Sequence, residues 1–148
     1  MLGIDTNILL YSLNPASRFQ GGAFAFLRKA FQEETKGVAL ADYVLVELYL
    51  LLRNEAVVKK PMAAGEAVEL ISSYWKIPSV VRIEHAPVMD RVWQMAGKKG
   101  FARRRIFDVR LGETLRHHGV KHFATANVKD FEGLGFDKVW NPLMEEFR

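Results

Sequence analysis

Short runs of small and branched apolar residues alternate with amphipathic stretches along the whole chain, and this alternation limits the possible folds more than any other feature. Leu2-Gly3-Ile4 reads as a strand that stops at Asp5, and Thr6 to Leu13 as a short helix broken by Asn14-Pro15. Phe24, Leu27 and Phe31 recur at helical spacing between the Gly21-Gly22 pair and Gly37, with Arg28, Lys29, Gln32 and Glu33 on the other face. A second strand, Val38 to Ala41, leads into a strongly apolar helix from about Val44 to Asn54, followed by a helix from Ala63 to Tyr74. Ser79 to Ile83 reads as a strand, and Pro87 opens a helix that Gly97 and Gly100 terminate. Asp108 to His117 gives a helix ending at Gly119, Lys121 to Ala126 a strand, and Lys138 to Trp140 a last strand before Asn141-Pro142. Parallel strands need crossover connections, so this order predicts an α/β chain with helices over a parallel or mainly parallel sheet. Ligands of such sheets gather beyond the carboxyl ends of the strands.

The 148 residues suit a single domain, 1–148, and the 49% hydrophobic and 26% charged residues are the balance of a chain that builds a core. The longest apolar stretch, Val44 to Leu52, is interrupted by Glu47 and falls far short of the roughly 20 residues of a membrane span. The absence of cysteine excludes disulfides, thiol catalysis and cysteine zinc sites; together with a first segment lacking a basic and apolar leader, it leads us to expect a cytoplasmic protein. The net charge of +4 is unevenly spread. Between Lys98 and Arg116, seven cations, among them Arg103, Arg104, Arg105 and Arg110, face only Asp108 and Glu113. Such a patch suits a polyanion, most simply nucleic acid, or is a solvated turn that helps solubility.

Carboxylates stand where structure alone gives them little reason to be. Glu47 lies in what should be a largely buried helix, and the positions three and four residues away hold Tyr43, Val44, Leu50 and Leu51, none of them a cation. Either a distant cation pairs with it or it belongs to a site. Asp5 ends the first strand, with Thr6 and Asn7 opening the next helix, and Asp108 follows Ile106-Phe107 in the same way. Each is open to reading as a helix cap, and Asp108 also as the partner of Arg104 or Arg105. Thr125, Asn127 and Asp130 follow the Phe123-Ala124 strand and could form an Asx turn. Taken together, Asp5, Glu47, Asp108 and Asp130 fall at ends that the topology gathers, and convergent carboxylates repel unless a cation sits among them. An oxygen-only set suits Mg²⁺ or Mn²⁺ and phosphodiester hydrolysis. Zinc is disfavoured, because His85, His117, His118 and His122 lie in no ligand spacing and read as surface or helix-end residues. A haloacid-dehalogenase-like phosphatase needs a second Asp where this chain has Asn7.

Ile4-Asp5-Thr6-Asn7, Glu47 in the third helix, Arg105-Ile106-Phe107-Asp108, Ala124-Thr125-Ala126-Asn127-Val128-Lys129-Asp130-Phe131-Glu132 and Trp140-Asn141-Pro142 form an ordered set with acidic spacings of 42, 61 and 22 residues. In this the chain resembles PIN-domain proteins, and among them the VapC-type toxins of VapBC toxin–antitoxin pairs, over nearly its whole length. The resemblance implies a PIN-like α/β/α sandwich around a mainly parallel four- to five-stranded sheet and an endoribonuclease dependent on Mg²⁺ or Mn²⁺. It implies Asp5 and Asp108 as principal metal ligands, Glu47 and Asp130 completing the acidic set, and Thr6, Asn7 and Thr125 in support. Many members carry Asp where this chain has Asn127, so Asn127 is expected to orient water or a neighbour. Arg103, Arg104, Arg105 and Arg110 are expected to hold the RNA backbone. A VapB-like antitoxin and a homodimer are implied as partners. The competing reading is a catalytically weakened PIN-fold module that binds RNA or antitoxin.

Overall fold

The computed structural model describes residues 1–144. Five parallel strands form one sheet: β1 (Leu2–Ile4), β2 (Val38–Ala41), β3 (Val80–Ile83), β4 (His122–Ala124) and β5 (Lys138–Trp140), in the order β3-β2-β1-β4-β5. Between them run α1 (Thr6–Leu13), α2 (Gln20–Glu33), α3 (Asp42–Leu52), α4 (Ala64–Tyr74), α5 (Met89–Ala96), α6 (Arg105–His117) and α7 (Val128–Phe131). Strands β1 and β2 are buried at every residue, because helices cover both faces of a parallel sheet; β3, at one edge, leaves Val81 and Arg82 exposed. Helices α1 to α4 pack on one another, and α5 to α7 do the same. With the right-handed crossovers of parallel sheets, the first group covers one face and the second the other, giving the expected α/β/α sandwich.

The register aligns Ile4 with Ala124 and Ala41 with Ile83, so the carboxyl ends of the strands share one edge. From β1 the chain turns toward β2 and β3 on one side, whereas β4 leads to β5 on the other. The seam between β1 and β4 is therefore the switch point at which α/β sheets open a crevice. The backbone continues the pairing past the strands, with Asp5 N–H donating to Ala124 O at 3.0 Å and Thr125 N–H to Trp140 O at 3.0 Å.

Three expectations are corrected. Helix α2 starts at Gln20, ahead of the Gly21-Gly22 pair, and buries Ala23, Leu27 and Ala30, while Phe24 is 61% exposed. The spacing from Ala23 to Leu27 is as helical as that from Phe24, and the alanines let the helix come closer to its neighbours. Helix α3 is apolar around most of its girth but buries only Val44, Leu45, Leu48 and Leu52. Glu47 is on its exposed side rather than in the core. Helix α6 begins three residues before Asp108, with Arg104 as the N-cap residue, so Asp108 lies inside the first turn and caps nothing.

Gly112 on α6 faces Leu134 in the segment after α7: a Cβ there would come 2.5 Å from Leu134 Cδ1, so this side chain would have to shift. Among the described residues, no helix is long and apolar enough to cross a membrane.

Candidate active site

Asp5 sits at the switch point, buried, with β/extended backbone as the N-cap residue of α1. Capping therefore describes part of its role. Oδ1 accepts from the Thr6 N–H at 2.7 Å, while Oδ2 accepts from the Thr125 hydroxyl at 2.6 Å and from Asn7 Nδ2 at 2.9 Å. A carboxylate has about four lone-pair positions, so about one is left for a ligand. Thr125 is wholly buried and, besides donating to Asp5, accepts from the Asn127 N–H at 2.9 Å and from Asn7 Nδ2 at 3.3 Å. Asn7 is in turn oriented by its Oδ1, which accepts from the Ala126 N–H at 3.1 Å. The β1 and β4 ends thus lock each other's side chains.

Glu47 comes from the helical layer above. Its partner is a hydroxyl rather than a cation: Thr6 Oγ1 donates to Glu47 Oε2 at 2.6 Å, with Val44 O a second acceptor at 3.3 Å. This tie between α1 and α3 is invisible to spacing along one helix. Asp108 is half-buried on α6, and no ion pair joins it to Arg104 or Arg105 among the described residues. Asp130 and Asn127 are exposed; Asn127 enters the site through its backbone. Helix α7, not expected from the sequence, carries Asp130.

These carboxylates act on one another. Burial raises the Asp5 pKa from 3.8 to about 6; the bonds from Thr125 and Thr6 lower it, and the charges of Glu47 and Asp108 raise it. Burial also raises Asp108 to about 6, reinforced by Asp130 and Glu47 and opposed by Arg105. The four acids thus form one region of unfavourable negative potential, built from the end of β1 and from α3, α6 and α7, which a cation would relieve. Among the described residues no three acidic or histidine side chains close into a cage for an ion. A cation held by one or two carboxylates through oxygen, keeping several waters, fits this arrangement, as Mg²⁺ and Mn²⁺ do.

The basic residues divide. Arg103 and Arg104 are exposed just before α6. Arg105 donates to Glu132 O at 3.3 Å and so braces α6 against the end of α7, and the Arg110 guanidinium lies 6.0 Å from the Tyr43 ring centroid. Of the histidines, His85 and His117 are exposed, His122 lies within β4, and His118 follows α6 with Nε2 buried.

No protein-family model matches the chain. It is 44% identical over 146 residues to Ribonuclease VapC24 of Mycobacterium tuberculosis, covering 99% of each chain. Among solved structures, FitAB bound to a DNA fragment matches with a TM-score of 0.66 at 20% identity, covering 100% of this chain and 99% of that one. Mycobacterium tuberculosis VapC20, described as a sarcin-ricin loop cleaving toxin, matches with a TM-score of 0.59 at 14% identity, covering 83% and 87%. FitAcB from Neisseria gonorrhoeae matches with a TM-score of 0.59 at 19% identity, covering 96% and 98%.

Proposed function

Since the chain belongs to the VapC family of PIN-domain ribonucleases, we propose that it is a toxin endoribonuclease that hydrolyses RNA phosphodiester bonds at the Asp5 site with Mg²⁺ or Mn²⁺. The observation that carries this reading is Asp5 itself: a buried carboxylate fixed by three hydrogen bonds and raised to about 6, facing further acids.

Asp5 and Asp108 would hold the ion. When bound, it supplies charge neutralisation, a lowered pKa for its water and a grip on the scissile phosphate. Thr125 and Asn7 keep Oδ2 of Asp5 in place, and Thr6 keeps Glu47 at the site. Glu47 or Asp130 accepts a proton from the attacking water. Water attack at phosphorus with departure of the 3′ oxygen leaves a 5′-phosphate and a 3′-hydroxyl. Arg103, Arg104 and Arg110 bind the RNA backbone without reading bases, and Arg105 acts chiefly as a brace.

The partner that restrains this activity is an antitoxin, in keeping with the VapC relative, and the protein works in the cytoplasm as a homodimer. The reading as a weakened binding module rests on Asn127, whose side chain supplies no carboxylate.

Purified protein and Asp5→Asn, incubated with a mixed RNA pool in Mg²⁺, Mn²⁺ or EDTA, test the proposal. Metal-dependent cuts made by the wild type and absent from the folded variant support it. Folded wild type that binds RNA but cuts none supports the binding module instead.

A further inference from the structure

Beside the acidic region, α3 and α6 reach across the sheet edge from opposite helical layers and enclose a cleft of about 250 Å³. Its walls carry two partly exposed aromatic rings, Tyr43 at 38% and Phe107 at 55% exposure. The rings are nearly parallel, 12° apart in plane with centroids 6.4 Å apart, and the Arg110 guanidinium is 6.0 Å from the Tyr43 centroid. Burying these rings in the core is open to neither: each belongs to a helix turn whose buried side is already filled by Val44, Leu45 and Val109, Leu111.

Their position ties them to the chemistry. Tyr43 precedes Glu47 by one helical turn, and Phe107 is the residue before Asp108. The Tyr43 hydroxyl feels both acids: burial raises its pKa, Glu47 and Asp108 raise it further, and Arg110 lowers it. Arg110 beside the two ring faces, rather than net charge, favours a nucleic-acid occupant of the cleft. Its two acids, Asp42 and Glu84, are both paired with Arg82, at 3.0 and 3.4 Å, whereas Arg110 has no carboxylate partner among the described residues. A cleft of this size suits one planar group rather than a drug-sized ligand.

Resting on the ribonuclease reading, we propose that Tyr43 and Phe107 form a stacking platform for one unpaired RNA base next to the cleaved phosphate, with Arg110 holding the adjoining backbone. Aromatic faces accept any base, so the platform selects single-stranded or looped RNA over duplex and sets where along a loop the cut falls.

The test uses wild-type protein in EDTA with a short single-stranded RNA carrying one 2-aminopurine, so that binding is read without cleavage. Tyr43→Ala and Phe107→Ala should each weaken binding about tenfold and remove the quenching of 2-aminopurine fluorescence. Tyr43→Phe and Phe107→Tyr should retain both. Phe24→Ala, an equally exposed ring on α2 away from the cleft, should behave as wild type. Circular dichroism separates lost stacking from lost folding, and the conservative pair keeps the test decisive if an alanine variant fails to fold. Unchanged affinity and quenching in the folded alanine variants, or loss of both in the conservative variants, overturns the platform and leaves the rings for a protein contact. A wild type that quenches but never cleaves with metal refutes the ribonuclease reading while leaving the platform standing.

Discussion

Ionised Asp5 should make the metal-free protein less stable at neutral pH than at mildly acidic pH. Its folded pKa of about 6 lies above the ordinary value of 3.8, so the native chain binds this proton more tightly than the unfolded chain. The penalty is present in full above about pH 6 and is relieved as pH falls through 6 toward 3.8. A rise of about 2 units corresponds to about 3 kcal/mol when fully expressed, of which about 1 kcal/mol is recovered between about pH 7.5 and pH 5. Urea unfolding in EDTA, followed by tryptophan fluorescence, measures this directly. Wild type should gain about 1 kcal/mol over that interval relative to Asp5→Asn, because the variant lacks the titrating group while sharing every other one. Adding Mg²⁺ at about pH 7.5 should raise the wild-type midpoint and leave Asp5→Asn much less affected. Parallel pH profiles for the two proteins would refute the buried-charge reasoning, whatever their absolute stabilities.

Thr125→Val removes the 2.6 Å bond to Asp5 and the acceptor for the Asn127 N–H; we expect a loss of about 1–3 kcal/mol in urea unfolding and a single-turnover cleavage rate lower by about 10- to 100-fold. Gly112→Ala should destabilise by about 1–3 kcal/mol despite the better helix propensity of alanine, because its Cβ meets Leu134, and combining it with Leu134→Ala should prove less than additive in thermal melts. Replacing Arg103 and Arg104 together by Gln should flatten the dependence of log affinity on log salt by about 0.7 for each phosphate that the protein no longer neutralises, measured by fluorescence anisotropy on single-stranded RNA, without moving the cleavage position.

Much of the architecture is legible because its signals are local. Thr6 to Leu13 and Val38 to Ala41 carry strong periodicity or apolar runs between clear breakers, and the observed elements have those same bounds. Phe24 and Glu47 depart from expectation for a shared reason: on a helix with apolar residues around much of its girth, period alone does not say which stripe meets the sheet. Asp108 reads as the start of a helix because Arg105-Ile106-Phe107 carries no capping residue or breaker to mark the true start. Helix α7 spans four residues, too few to show a period. The candidate site is visible in the sequence as residue types at strand ends, but not as side-chain bonds. The bond between Thr125 and Asp5 joins residues 120 apart and that between Thr6 and Glu47 residues 41 apart. Both depend on strand order and on the layer each helix joins, which spacing does not encode.

Mn²⁺ binding followed by electron paramagnetic resonance is the decisive test of the proposed cation site, in which Asp5 at the end of β1 and Asp108 on α6 would hold the ion while Glu47 and Asp130 add negative charge around it. Wild type should bind Mn²⁺ in a form that Mg²⁺ displaces. Asp5→Asn and Asp108→Asn should each abolish that binding, with Glu47→Gln and Asp130→Asn weakening it. Wild-type binding that persists unchanged in folded Asp5→Asn would contradict the claim.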